Sequence, residues 1–413
     1  MLFVNPTPIY LKCGILLPKN EENITEIEDL KSTFQYFQTN LSINLNSNIL
    51  LLFKINYFKI DHFKLSPDYA FLQKKLNITA KFFEQKETET SNKDSITLSN
   101  ELPLCYFCGH ITEKRESIIK ELFNKKPYKV GNVNQLTIYG IDYITENIEN
   151  SFFNLPNQSI SKLIKIGQGL ESVNEKYPLS LKGNLYPYLM ANALEGVSVY
   201  RVDSINKYTR LGGNTMGATT LWSLLTLTCG YEDPDIVLID ATKGDNQFID
   251  LSVGDIYGGN YSQFSLQSDL IASSFGKLKY VKDISKVQKK DIARSLVTLY
   301  ASSVSQITAM LSMNSQLDKA IVLGNPFNSL ELMQMVKVCT GYFSGNKVNS
   351  VFSDYSQFLE IIGMCVEYDK GNKMEYKEKD EEVNPVEDKK IKETEEKLLN
   401  QLTINKEEDK KDQ

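Results

Sequence analysis

Short apolar runs and helical spacings take turns along most of this chain. Ile9 to Leu17 predicts a buried strand stopped at Pro18, and Ile27 to Asn40 carries helical spacing after an acidic start. Asn48 to Phe63, dense in β-branched and aromatic residues, predicts one or two strands. Ser66 to Lys86 reads as helix and Glu87 to Lys93 as a polar connection. Leu102 to Ile111 returns to strand composition, Lys114 to Phe123 to helix, and Asn134 to Tyr139 to strand. Alternation of this kind predicts an α/β lobe. Ser159 to Val173 sets Leu163, Ile164, Ile166 and Leu170 at helical spacing. Tyr186 to Val202 predicts two strands joined near Ala193-Leu-Glu-Gly196, which open a second α/β lobe running to about Tyr368. Lys370 to Gln413 is dominated by Lys, Glu and Asp and predicts a solvated tail, with Glu393 to Leu402 its one helical piece. The resulting division is an N-terminal lobe over 1–158, a C-terminal lobe over 159–368 and a tail over 369–413, with no internal sequence repeat.

A chain of 413 residues exceeds one compact domain, which agrees with two lobes. The net charge of −6, with no basic stripe among aromatics, argues against a nucleic-acid partner. Six scattered cysteines form no disulfide framework and suit a reducing compartment. The opening Met-Leu-Phe-Val-Asn-Pro, with Lys12 in the only nearby apolar run, is a poor signal peptide, and no apolar run reaches the roughly 20 residues of a membrane helix. The expectation is a cytoplasmic protein with no membrane partner.

Two glycine-bearing loops hold the candidate chemistry. Arg210-Leu-Gly-Gly-Asn-Thr-Met-Gly-Ala-Thr-Thr220 stands directly ahead of the apolar run Leu221 to Cys229. A strand-to-helix turn of that composition aims N–H groups and hydroxyls at a helix N-terminus, where an anion can sit. Arg210, a guanidinium beside a glycine loop, suits phosphate or carboxylate. Asp255-Ile-Tyr-Gly-Gly-Asn-Tyr261 predicts a tight turn that presents phenols, and continues to Ile271-Ala-Ser-Ser-Phe-Gly276. Trp222 among Leu221, Leu224 and Leu225 reads as core. Cys105-Tyr-Phe-Cys108-Gly-His110 has the spacing of half a zinc site, but with no second Cys pair and His62 the only other histidine it reads as a half-buried strand, and no metal site is expected.

Taken in order, Tyr208-Thr-Arg-Leu-Gly-Gly213, Thr242-Lys-Gly-Asp245, Val253-Gly-Asp-Ile-Tyr-Gly-Gly-Asn-Tyr261, Leu270-Ile-Ala-Ser-Ser-Phe-Gly276 and Lys290-Asp-Ile-Ala-Arg-Ser295 resemble the eukaryotic-type (type II) pantothenate kinases. The likeness is most specific from Tyr186 to Gly276 and fainter to Gly363. It implies a two-lobed α/β fold of the actin-like ATPase, sugar-kinase-like kind. It also implies MgATP-dependent phosphorylation of pantothenate, the first step of coenzyme A synthesis, and acyl-CoA as an inhibitor. Carried over by that likeness, Ser198 and Arg210 match acyl-CoA contacts, while Lys12, Thr215, Gly217 and Thr220 match positions serving ATP phosphates. Tyr257, Tyr261, Ile271 and Ala272 belong to a loop that, in the dimeric family, lies at the interface and completes the partner's pantothenate pocket.

The same likeness exposes departures. The family's Asp-Ile-Gly-Gly-Thr falls on Asn5-Pro-Thr-Pro-Ile9, where both glycines and the metal-serving carboxylate are gone and Pro8 lacks an N–H. A glycine triplet followed by Ala-Tyr falls on Tyr139-Gly-Ile-Asp-Tyr143. The catalytic Glu falls on Lys162, with Glu149 and Glu171 the nearest acids; losing a general base costs about 10²–10⁴-fold. Asn-Ile-Gly-Ser-Gly becomes Asn192-Ala-Leu-Glu-Gly196, which puts Glu195 at a substrate and acyl-CoA position. Gly-Tyr-Phe-Gly-Ala-Val-Gly becomes Gln357-Phe-Leu-Glu-Ile-Ile-Gly363, with Glu360 beside the nucleotide position. Parts made within one chain are worn and parts lent across the interface stand. The favoured reading is a subunit impaired in its own site that completes the pocket of an active paralogue. The alternatives are an active kinase and an acyl-CoA-sensing regulatory subunit.

Overall fold

The computed structural model describes residues 2–6, 10–18, 41–44, 48–56, 104–108, 117–119, 126–129, 131–156, 175–231, 234–284, 287–324, 326–327 and 329–369. One sheet is built from β1 (Leu2–Pro6), β2 (Tyr10–Pro18), β3 (Leu41–Asn44), β4 (Asn48–Asn56), β5 (Leu104–Phe107) and β6 (Lys126–Lys129), in the order β3-β4-β2-β1-β5-β6. In it β1, β2 and β4 form an antiparallel meander, β3 adds to the β4 edge, and β5 and β6 run parallel to β1. The expected strands around 9–17, 48–63 and 102–111 therefore exist. The expected helices over 27–40, 66–86 and 159–173 lie outside the described residues, as does the tail.

A second sheet repeats that plan. Its strands β9 (Tyr188–Ala193), β10 (Val197–Ser204) and β11 (Lys207–Asn214) form an antiparallel meander, while β14 (Lys319–Gly324) and β15 (Asn349–Val351) run parallel to β9, in the order β11-β10-β9-β14-β15. With β3 set aside, the two strand orders are the same. Two short antiparallel pairs complete the described strands: β7 (Phe152–Asn154) with β8 (Tyr177–Leu179), and β12 (Leu251–Ser252) with β13 (Ile271–Ser273).

Strand β9 is buried along its whole length, as a central strand covered on both faces must be. Leu189, Ala191 and Ala193 face a core shared with α2 (Ala218–Cys229), α3 (Pro234–Thr242), α5 (Lys289–Asn314) and α6 (Leu330–Ser344). Tyr188 and Met190 face the other core, with α1 (Val133–Asn147) and α7 (Leu359–Asp369). Helix α5 is long and apolar enough to cross a membrane by composition, but Ala293, Leu296, Val297, Tyr300, Ala301 and Val304 lie in the first of these cores. Trp222 packs in the same core, as expected.

The strand expected over Asn134 to Tyr139 is instead the start of α1. Asn132 caps it, its side chain accepting the N–H of Asn134 at 2.8 Å and of Gln135 at 3.4 Å. Leu136, Ile138, Ile141 and Ile144 then bury a broad face, and packing overrides the strand composition. On that face α1 meets α7 at two glycines. A Cβ at Gly140 would lie 2.0 Å from the Leu359 carbonyl oxygen, and one at Gly363 would lie 2.0 Å from the Leu136 carbonyl oxygen.

Five of the six cysteines, Cys13, Cys108, Cys229, Cys339 and Cys365, are buried thiols. Burial raises the Cys229 pKa and pushes Cys339 up to about 12, although hydrogen bonds from Thr228 and Ser305, respectively, work the other way. Because the thiolate is the reacting form, these five are expected to resist a disulfide reagent in the native protein and to react at once in guanidinium. Fast reaction of several thiols in the native chain would contradict this packing.

Candidate functional site

Ligands of open α/β sheets gather at the carboxyl ends of the parallel strands. At that end of the second sheet, β9 turns into β10 through Leu194-Glu-Gly196, β11 runs through 214–217 into α2, and β14 ends at Gly324. The surfaces are close-packed. A Cβ at Gly324 would lie 2.0 Å from the Ala193 carbonyl oxygen, and Gly324 holds a φ of +134° that favours glycine. Gly217, the N-cap of α2, leaves room for the turn, since a Cβ there would lie 2.1 Å from the Glu195 carbonyl oxygen.

The expected strand-to-helix turn is thus present, and two of its donors are engaged by the chain itself. The Ala218 N–H donates to Leu194 O at 2.7 Å, and the Thr220 hydroxyl donates to Thr215 O at 2.8 Å. Asn214 shapes the loop: its side-chain oxygen accepts the Met216 N–H at 3.0 Å, and its amide reaches the Ser303 hydroxyl at 3.2 Å. This Asx turn is a device sequence reading had passed over, although Asn at that place signals it. Thr215 is exposed, and Glu195 stands exposed at the tip of the neighbouring turn.

Ser198 and Asn192 are cross-strand partners on β10 and β9, and Ser198 faces Gly213 on its other side. Arg210 pairs with Tyr200, whose ring belongs to the α1–α7 core, so Asn192, Ser198 and Arg210 share one face of the sheet. A Cβ at Gly213 would lie 3.2 Å from the Arg210 guanidinium, which places that group alongside the strand rather than away from it.

The second group of expected residues stands on a tongue over 253–276. Its first part, expected as a turn, begins as a short helix, α4 (Val253–Tyr257). Ser252 and Asp255 form a reciprocal cap: the Asp255 N–H donates to the Ser252 hydroxyl at 3.0 Å, and the Ser252 N–H donates to the Asp255 carboxylate at 2.8 Å. Gly258, at φ 73°, ends the helix. Tyr257 and Tyr261 stack face to face, ring centres 4.2 Å apart and planes 7° apart, and Phe264 leans on Tyr261. Ile256, Tyr257 and Phe264 are 49, 54 and 62% exposed. Ile271 pairs with Ser252 and packs on Val338 and Cys339, while Ala272 is exposed.

Below the tongue lies a buried polar cluster. The Asp250 carboxylate accepts the Phe275 N–H at 2.9 Å, the Asn246 amide at 2.6 Å and the Ser295 hydroxyl. Burial raises the Asp250 pKa, against those three hydrogen bonds and the charge of buried Arg294. Arg294 is pushed down to about 10 by burial, opposed by Asp250 and Asp245. The Thr242-to-Asp245 and Lys290-to-Ser295 motifs meet here. A Cβ at Gly244 would lie 2.2 Å from Lys290 O, and the Asp245 N–H donates to Asp291 at 2.8 Å. Sequence reading picked out both motifs and missed Asp250, which ties Ser295 of the second to Asn246 and Phe275.

The expected Lys162, the side chain of Lys12, the Pro8 turn, the Cys105 side chain and His110 lie outside the described residues; Cys108 is buried. Lys12 has its backbone on β2, opposite Asn5 on β1. β1 ends at Pro6 and β9 at Ala193, each the first strand of its meander, so these two strand ends occupy equivalent places in the two sheets. Glu360 is buried on α7. Gly140 and Gly363 meet at the α1–α7 crossing.

Two meanders, each extended by two parallel strands, make this a two-lobed α/β protein of the actin-like, sugar-kinase-like class. The model of the Fumble family matches residues 52–367, and the chain belongs to that family, the family of the pantothenate kinases. It is 34% identical over 188 residues to pantothenate kinase 1 of Arabidopsis thaliana, covering 45% of this chain and 49% of that protein. It is 32% identical over 188 residues to pantothenate kinase of Schizosaccharomyces pombe, covering 44% of this chain and 46% of that protein. The chain thus spans about half the length of these relatives. A glucokinase from Balamuthia mandrillaris in complex with glucose aligns over 88% of this chain and 91% of its own, at 11% identity and a TM-score of 0.36.

A kinase family implies ATP and a metal ion in general. At the α2 N-terminus the Ala218 N–H and the Thr220 hydroxyl already meet backbone carbonyls and would have to release them to serve a phosphate, while the buried Thr219 hydroxyl has no hydrogen-bond partner among the described residues. Among the described residues, no group of three or more His, Cys, Asp or Glu converges as metal ligands.

Proposed function

We propose that this chain is a pantothenate kinase subunit of coenzyme A biosynthesis (ATP + pantothenate to 4′-phosphopantothenate), impaired in its own pocket, that completes the pocket of an active paralogue in a cytoplasmic heterodimer. The observation that carries the reading is the contrast between two regions of the second lobe. At the α2 N-terminus, the Ala218 N–H meets the Leu194 carbonyl of the neighbouring turn, the Thr220 hydroxyl meets Thr215 O of its own loop, and Glu195 stands exposed at the tip of the neighbouring turn. The tongue, in contrast, is pinned from below and offers a stacked tyrosine pair and Phe264 outward. In this reading Tyr257, Tyr261, Ile271 and Ala272 serve the partner. Ser198 and Arg210 keep a place for pantothenate or acyl-CoA, and Lys12, Thr215, Gly217 and Thr220 are remnants of the phosphate site.

The test is phosphorylation of labelled pantothenate by the purified chain alone, by a glycine-complete family member from the same genome, and by the two mixed. The chain alone is expected to run about 10²-fold or more below the mixture, the scale of a missing general base. The mixture should exceed the sum of its parts. Tyr257→Ala should reduce that gain about tenfold, the scale of an aromatic anchor removed from an interface. Robust turnover by this chain alone, abolished by Arg210→Ala, would establish an active kinase instead. The shared face of Asn192, Ser198 and Arg210 favours a second reading, an acyl-CoA sensor, which acetyl-CoA binding without ATP binding would support.

A further inference from the structure

Phe275 holds a φ of 61°, the left-handed region that bulky residues rarely enter. Such a conformation persists only where surroundings fix it. Here the fixing group is identifiable. The Phe275 N–H donates to the Asp250 carboxylate at 2.9 Å, and that carboxylate is fully buried and tied to Ser295 on α5 and to Asn246. Immediately after Phe275, the chain is locked again. A Cβ at Gly276 would lie 2.8 Å from the Leu251 side chain, and the Lys277 N–H donates to Ile249 O at 3.0 Å. The Lys277 ammonium reaches the Asp255 carboxylate at 2.6 Å and Gln247 O at 2.9 Å, which ties the exit of the tongue to its entry. Burial works against ionisation of Asp255, but the hydrogen bonds from Lys277 and Ser252 outweigh it and hold its carboxyl below the ordinary range.

We infer that Asp250 is a positioning residue: by taking the Phe275 N–H it holds the left-handed backbone there and sets the shape in which the chain presents the 271–276 segment. The functional consequence rests on the proposed lending of the tongue to a partner; the structural part does not. A buried carboxylate is an expensive way to fill space, and an apolar side chain of similar volume would pack as well. Its three donors come from a loop, from the tongue and from the long core helix, so it transmits the rigidity of α5 to an exposed loop.

Amide hydrogen exchange on the free, full-length chain tests the structural part. In Asp250→Asn, which keeps the shape and weakens the charge-assisted bond, exchange over 273–277 is expected to rise about tenfold while the 300–314 half of α5 stays protected. Ser295→Ala, which removes one donor and leaves the charges of Asp250 and Arg294 in place, should move the same amides in the same direction, and it serves if Asp250→Asn does not fold. Unchanged exchange over 273–277 in the folded variants overturns the inference. The second arm mixes each variant with the active family member: the KM for pantothenate should rise about fivefold, with kcat and subunit association less affected. If wild-type chain stimulates the partner and the variants stimulate it equally, positioning is refuted. If wild-type chain gives no stimulation, the lending reading fails, and exchange alone judges the role of Asp250.

Discussion

Gly363→Ala is expected to destabilise the protein by about 3 kcal/mol or more, a large share of the roughly 5–15 kcal/mol that holds a native protein together. In an exposed helix the same exchange would stabilise by roughly 0.5–1 kcal/mol, because alanine loses less freedom on folding. The sign reverses here because a Cβ would sit 2.0 Å from the Leu136 carbonyl oxygen and 3.2 Å from the Gly140 N. Backbone, unlike a flexible side chain, cannot swing aside, so α1 and α7 must separate. Separation loosens the core that holds Ile138, Ile141, Ile361, Ile362 and Cys365. Gly140→Ala should cost a similar amount against the Leu359 carbonyl. Since both glycines serve one crossing, the double variant should cost less than the sum, the helices having already been pushed apart. Urea midpoints of the four proteins decide the matter: strict additivity, or a stabilised single variant, would refute the crossing.

Asp250→Ala should be comparably damaging, at roughly 3–5 kcal/mol, because it removes the larger of the two charges that offset the burial of Arg294 and the acceptor of three donors at once. Replacing both Asp250 and Arg294 with apolar residues of similar size should recover much of that loss, since the desolvation of both charges is then relieved. The pH dependence has a definite sign. Burial raises the Asp250 pKa in the folded state, so the native protein binds this proton more readily than the unfolded chain does. Its contribution is therefore most favourable below the ordinary carboxylate range and declines as pH rises through the raised value. Comparing wild type with Asp250→Asn, which does not titrate, by thermal melting across mildly acidic pH should show wild type gaining on the variant as the solution becomes more acidic. A wild type that loses ground to the variant on acidification would contradict the buried, proton-favouring environment.

Local chemistry was legible where neighbours in sequence are neighbours in space. The β9–β10 hairpin, the strand-to-helix turn at Asn214 to Ala218 and the core place of Trp222 follow from alternation, glycine and apolar spacing. The start of α1 was misread because Leu136 to Tyr139 has strand composition, while the decisive facts are the cap at Asn132 and a partner helix more than 200 residues away. Helix α4 was misread as a turn although Ser252 and Asp255 have capping-box spacing, since five residues hold too little periodicity to register. The repeated strand order left no trace as a sequence repeat, because a pleated sheet asks only for alternation and burial, which many sequences satisfy. The Asp250 cluster was invisible for a related reason: its donors come from positions 25 and 45 residues downstream, and only the fold brings them to one carboxylate.

The placement of α7 has a mechanical corollary. It follows directly from β15 of the second sheet, yet it packs against β1 and β2 of the first as well as against α1. Its crossing with α1 brings backbone against backbone at Gly140 and Gly363, inside a core that draws on Leu50 and Leu52 of the first sheet and on Tyr188 and Met190 of the second. A bulkier residue at either glycine would thus be felt by both sheets at once.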